Sequence, residues 1–200
     1  MHGRQPPPPP AKRTSLKRPR RETPPALSVP DPRWMLPDVP PRSLREGIAL
    51  TEALLDRAGV ADSVADARLV LAKACGASPT WVLAHELEAI PDSAWPLHRI
   101  LVARRCAREP VQHILGRQEF FSLDLEVTPD VLIPRPETEL LVEAAIAEVR
   151  EMPFSRMADI GTGSGAIAIA LVIEAPGSRV VASDISRAAL DVARDRKSVV

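Results

Sequence analysis

Residues 159–165 read Asp-Ile-Gly-Thr-Gly-Ser-Gly, and nineteen positions past the last of these glycines Asp184 closes the run Arg179-Val180-Val181-Ala182-Ser183. Glycines packed this densely after a strand let the backbone pass close to a ligand with no Cβ in the way, and then turn straight into a helix. An acid at the tip of the following strand is placed to accept hydrogen bonds from ribose hydroxyls. The pairing points to a nucleotide cofactor.

The spacing narrows which one. The glycines fall at Gly161, Gly163 and Gly165, Ala166 stands where the third glycine of a dinucleotide fingerprint would be, and Asp159 precedes the first glycine by two. Acid-x-Gly-x-Gly-x-Gly is the methyltransferase form, in which no pyrophosphate is cradled and the loop bends around the amino-acid end of S-adenosylmethionine. A nicotinamide cofactor stays open as an alternative, because alanine is tolerated as the third dinucleotide residue. So does a plain packing role for the glycines. With S-adenosylmethionine as cofactor, Gly161, Thr162, Gly163, Ser164 and Gly165 line its tail, Asp184 binds the ribose and Ile185 flanks the adenine.

Positioning these groups takes a particular order of elements. Met157–Ile160 reads as a strand, Ala166–Leu171 as a buried helix, Val180–Ser183 as a second strand, and Ser186 as the cap of a helix carrying Ala189, Leu190 and Ala193. That order is the first half of a doubly wound α/β sheet. Parallel pairing through a right-handed crossover puts the glycine loop and Asp184 at one carboxyl edge.

Upstream, residues 119–127 alternate apolar and polar side chains after Phe121 and predict one half-buried strand, with Phe121 in the hairpin core. Thr128-Pro129-Asp130 predicts a turn and Val131-Leu132-Ile133 the partner strand. Pro134-Arg135-Pro136-Glu137-Thr138-Glu139 follows, its two prolines fixing an extended lead into an amphipathic helix. Arg135, Pro136 and Glu137 are expected to shape the cofactor and substrate entrance, with Thr138 and Glu139 capping or supporting the helix.

From Ser43 to about Arg108 the periodicity is helical and predicts a small bundle of four helices. Its single histidines, His85 and His98, read as surface or partly buried side chains. Before it, Arg4, Lys12, Arg13, Lys17, Arg18, Arg20, Arg21 and Arg33 face only Glu22 and Asp31, with five prolines from Pro6 to Pro10. Such a stretch predicts a disordered basic tail, to which no activity is assigned. Three Trp, three Phe and no Tyr argue against a base-stacking platform, so direct nucleic-acid binding is not expected. Cys75 and Cys106 lack metal spacing and fit a reducing compartment as small buried hydrophobes; no metal is expected. With no membrane span and no signal peptide in the pattern, the protein is expected in the cytoplasm.

Taken together, four segments carry a family resemblance: Glu109-Pro110-Val111-Gln112-His113-Ile114-Leu115-Gly116, Phe120-Phe121-Ser122-Leu123, Leu132 through Glu139, and Asp159 through Ala170. From about Ser43 to Ala193 the chain resembles the release-factor glutamine methyltransferases, the HemK/PrmC family. The resemblance implies a tail over 1–42, a helical domain over 43–109 that grips the release factor, a β-hairpin linker over 110–136, and over 137–200 the first part of a Rossmann-like class I methyltransferase domain binding S-adenosylmethionine. It implies methylation of the side-chain amide nitrogen of glutamine in a Gly-Gly-Gln motif, with a release factor as partner and a monomeric enzyme.

In that family an Asn-Pro-Pro-Tyr motif supplies the acceptors around the reacting amide, and this chain contains neither Asn nor Tyr. The motif is expected after a later strand, so the chain reads as C-terminally truncated, with no nameable catalytic residue and no expected turnover of its own. The catalytic half alone is then expected to be poorly soluble or partly disordered, because a sheet edge or apolar face is left uncovered. A non-catalytic cofactor-binding module, a nicotinamide oxidoreductase and a nucleic-acid adenine methyltransferase are the rival classes.

Overall fold

The computed structural model describes residues 35–150, 152 and 154–194. The basic stretch over residues 1–34 and the last six residues lie outside the described part. Four helices build the N-terminal half: α1 (Leu44–Arg57), α2 (Ser63–Cys75), α3 (Pro79–Ala84) and α4 (Trp95–Cys106). Their starts follow local chemistry. Ser43 Oγ accepts the Glu46 N–H at 3.3 Å and Ser78 Oγ accepts that of Trp81 at 3.0 Å, each satisfying an orphan donor of a first turn. Leu44, Ile48, Leu55, Val70, Leu71, Trp95 and Val102 then meet in one core, as their helical spacing requires.

Two details of this bundle depart from expectation. The tail predicted over 1–42 does not extend that far, because Leu36 is 5 % exposed and residues 36–38 are strapped onto α4. Trp95 Nε1 donates to the Pro37 carbonyl at 2.9 Å, Arg99 Nε donates to that of Leu36 at 3.2 Å, and Arg99 pairs with Asp38 at 2.7 Å. His98, expected at the surface or partly buried, is completely buried: its Nε2 lies 2.8 Å from Thr51 Oγ1 and its ring packs at 5.2 Å from that of Trp95.

A short helix, α5 (Val111–Leu115), ends at Gly116 and leads into a hairpin of β1 (Arg117–Phe120) and β2 (Leu123–Glu126). Here the predicted register is overturned. Residues 119–127 are not one strand: the chain reverses at Phe121–Ser122, Phe120 pairs with Leu123, and residues 131–133 form no strand. Both turn residues have positive φ, 52° and 61°, the geometry of a type I′ hairpin turn. That turn normally advertises itself through Asn or Gly, so Phe-Ser carried no sequence signal for it.

The second half begins with a single 3-10 turn, Pro136–Thr138, and α6 (Glu139–Val149). Strand β3 (Arg156–Ile160), helix α7 (Ala166–Glu174), strand β4 (Arg179–Ser183) and helix α8 (Arg187–Arg194) follow. β3 and β4 pair in parallel, from Arg156 opposite Arg179 to Ile160 opposite Ser183. Phe120 and Leu125 of the hairpin are buried with Val142, Ile146, Ala166, Ala170 and Leu171, so the hairpin packs into the core of α6 and α7. Val127 and Val131 pack against Ala189 of α8.

Candidate functional site

The loop between β3 and α7 is stitched to the end of β4. Gly161 N–H and Thr162 N–H both donate to the Ser183 carbonyl, at 2.8 and 2.9 Å. Thr162 and Ser164 are buried, so the loop turns its side chains inward. Its glycines keep the outer face open: a Cβ built on Gly161 or Gly163 would meet nothing within 4 Å, and their φ values are 82° and 54°. Gly165 differs. Its Cβ would lie 3.2 Å from Ala193 Cβ, so it is the residue that lets α8 close against the start of α7.

Two carboxylates brace this loop from opposite sides. Asp159, buried at the end of β3, accepts the Thr162 hydroxyl at 2.6 Å and the Ala168 N–H at 3.2 Å through Oδ2. Gly165 occupies the N-cap of α7 and has no side chain to cap with, so an acid from the preceding strand reaches the first turn instead. Asp184 Oδ2 accepts the Gly163 N–H at 2.9 Å and its Oδ1 accepts that of Ser186 at 2.8 Å. These backbone bonds, from Ser186 first and then Gly163, hold the Asp184 carboxyl below the ordinary aspartate value of 3.8. The acid is ionised at neutral pH and keeps lone pairs for further donors.

Of the residues singled out from the sequence, Gly161, Thr162, Gly163, Ser164, Gly165 and Asp184 are gathered at one edge of the β3–β4 sheet. Ile185 projects fully exposed beside them. Arg135, Pro136 and Glu137 lie exposed on the 3-10 turn before α6 and take no part in the hydrogen bonds just described. Two residues do more than the spacing conveyed. Asp159 doubles as the cap of α7. Glu139 Oε1 accepts the Phe121 N–H at 2.8 Å, tying the start of α6 to the hairpin tip. Among the described residues no cluster of His, Cys, Asp and Glu could hold a metal ion, and no helix is long and apolar enough to cross a membrane.

A parallel strand-loop-helix-strand unit whose glycine loop is tied to the acid of the next strand, preceded by a helical bundle and a hairpin, is the beginning of a Rossmann-like methyltransferase fold. Residues 136–199 match the family described as the methyltransferase small domain, and residues 47–116 that described as the PrmC N-terminal domain. The chain is 47 % identical over 144 residues to the release factor glutamine methyltransferase of Burkholderia pseudomallei, covering 72 % of this chain and 50 % of the relative. It is 44 % identical over 128 residues to the protein of that name from Bordetella pertussis, covering 64 % of this chain and 47 % of the relative. The one from Cereibacter sphaeroides is 39 % identical over 159 residues, covering 78 % and 56 %. The chain belongs to the HemK/PrmC family and spans about half the length of these curated relatives.

Proposed function

We propose that the protein transfers a methyl group from S-adenosylmethionine to the side-chain amide nitrogen of the glutamine in the Gly-Gly-Gln motif of peptide chain release factors, and that this chain contributes the donor-binding part. The observation that carries the proposal is the join between Asp184 and the glycine loop. Open space over Gly161 and Gly163 suits a ligand tail lying on backbone, and the ionised Asp184 has acceptors left for ribose hydroxyls. Ile185 offers an uncovered apolar side chain beside it, fit to flank an adenine. The names of the relatives support the acceptor. Bound there, the cofactor supplies an electrophilic methyl group on a sulfonium.

In this proposal residues 43–109 recognise the release factor, 110–136 link the halves and 137–200 belong to the cofactor domain, with Arg135, Pro136 and Glu137 at the entrance. The enzyme works as a monomer in the cytoplasm, on protein and not on nucleic acid. An amide nitrogen is a weak nucleophile, and positive charge grows on it during attack, so acceptors must surround its NH2 group. The chain has no Asn or Tyr to build the family's Asn-Pro-Pro-Tyr acceptor site. That favours a second statement about this polypeptide by itself: it binds the donor without turning it over.

Calorimetric titration with S-adenosylmethionine, with NAD as the comparison and Asp184→Ala as the control, tests the cofactor. Binding of the methyl donor alone, lost in the variant, is the expected result. Binding of NAD instead would sink it. Incubation with donor and a release factor, followed by peptide mass spectrometry of the Gly-Gly-Gln loop, tests turnover.

A further inference from the structure

The direction of Asp184 depends on a helix too short to hold itself. Its Oδ2 is met by the Gly163 N–H and its Oδ1 by that of Ser186, so the carboxylate points where those two amides stand. Gly163 belongs to a loop already fixed by Asp159 and by the Ser183 carbonyl. Ser186 belongs to the start of α8, whose first turn it caps by accepting the Ala189 N–H on Oγ. At eight residues α8 is shorter than the roughly 12–15 below which an isolated helix is marginal in water, so packing must hold it.

Few residues supply that packing. Ala189 is the only buried residue of α8, and it meets Val127 and Val131, with Val192 partly buried beside them. Gly165 leaves Ala193 room against the start of α7, but a glycine has no side chain to grip with. The seat of α8 is therefore made by the linker, and the linker is braced there. Val131 N–H donates to the Thr128 carbonyl at 3.1 Å and Asp130 N–H to Thr128 Oγ1 at 3.2 Å, closing a turn with Pro129 at its first corner. Val127 N–H donates to the Gly116 carbonyl at 3.1 Å, which fastens the same stretch to the end of α5.

From this chain of contacts we infer that Val131 is a positioning residue for the methyl donor: it seats α8 through Ala189, α8 places Ser186, and Ser186 aims Asp184 at the ribose. The inference rests on the proposed cofactor and gives Val131 no contact with it. If Val131 only fills space, truncating it acts on the site no differently from another truncation of the same size. Val142→Ala supplies that comparison, because Val142 is fully buried in the hairpin–α6–α7 core, which shares no residue with the seat of α8. Val131→Ala, Val142→Ala and the combination of Val131→Ala with Asp184→Ala are made in the full chain, with Val131→Thr, of the same shape, as a milder variant. Each is titrated calorimetrically with S-adenosylmethionine, and amide hydrogen exchange is followed without ligand at Gly163 and Ser186.

The expected result is donor affinity about fivefold weaker in Val131→Ala, weakened less in Val131→Thr, and within about twofold of wild type in Val142→Ala. Added to Asp184→Ala, Val131→Ala should change affinity by less than about twofold, since the residue through which it acts is gone. Exchange at Gly163 and Ser186 should quicken in Val131→Ala and not in Val142→Ala. Equal losses of affinity in the two truncations overturn the inference. So does a loss that persists in full on top of Asp184→Ala, or unchanged donor affinity in Val131→Ala. If Val131→Ala fails to fold, Val131→Thr decides by the same comparison. Wild-type chain that binds no S-adenosylmethionine removes the proposed cofactor alone; exchange at Gly163 and Ser186 then still tests the seat, and rates unchanged in Val131→Ala overturn it.

Discussion

Asp184 and Gly163 are joined directly, the carboxylate Oδ2 accepting the glycine N–H at 2.9 Å. The acid that should meet the cofactor therefore also shapes the loop on which the cofactor should lie. Asp184→Ala removes both functions, and S-adenosylmethionine affinity should fall at least tenfold in calorimetry, with Asp184→Asn intermediate. The pH dependence has a definite sign. The carboxyl sits below its ordinary value, so its bonds to Ser186 and Gly163 are fully present above pH 3.8 and are lost only as pH falls through the depressed value. Donor affinity should be flat from pH 8 down to about 5 as far as Asp184 governs it.

Asp159 serves two donors in a buried place. Asp159→Ala strands the Thr162 hydroxyl and the Ala168 N–H together and should destabilise the second half by about 2–3 kcal/mol in urea denaturation. Asp159→Asn retains an acceptor oxygen and should lose less.

The glycines should separate by role. Gly165→Ala meets Ala193 Cβ at 3.2 Å at a φ of 79°, and should cost about 1–3 kcal/mol of stability. Gly163→Ala finds open space and pays only for its φ of 54°, about 1 kcal/mol, yet places a methyl group on the proposed ligand face. Melting temperature should drop more for the first variant and donor affinity more for the second.

His98 makes the helical half acid-sensitive. Thr51 Oγ1 donates to the Gly47 carbonyl, so His98 Nε2 is the donor to Thr51, and Nδ1, left as an acceptor in the neutral ring, finds no donor in the interior. Burial pushes the imidazole down to about 4, the Val70 carbonyl offsetting part of the effect. The unfolded chain thus binds the extra proton between about pH 6.5 and 4, and stability falls through that window as pH is lowered. Urea midpoints should correspond to a loss of about 2 kcal/mol between pH 7.5 and 5, much reduced in His98→Leu.

Much of this was legible before any coordinates. The glycine loop, β3, α7, β4 and the cap at Ser186 follow from residue type and spacing, because each depends on neighbours in sequence. Ser186 Oγ does accept the Ala189 N–H, at 3.2 Å. What failed depended on distant partners. Phe121–Ser122 reverses the chain without Asn or Gly because Glu139, eighteen residues on, holds the turn. His98 is buried because Thr51 waits for it on another helix, and residues 36–38 belong to the bundle because Trp95 and Arg99 fasten them. None of these partners can be read from local periodicity.

The bundle core and the hairpin–α6–α7 core share no residue. During synthesis the two are therefore not obliged to wait for each other. The bundle is built from helices close in sequence, α1 on α2 and α2 on α3 and α4, so its closure entropy is small and it can fold while the rest is still being made. The hairpin leaves the ribosome next but finds its burial partners only when α6 and α7 have followed. Until then Phe120 and Leu125 are bare, and this interval is when the nascent chain is most exposed to aggregation.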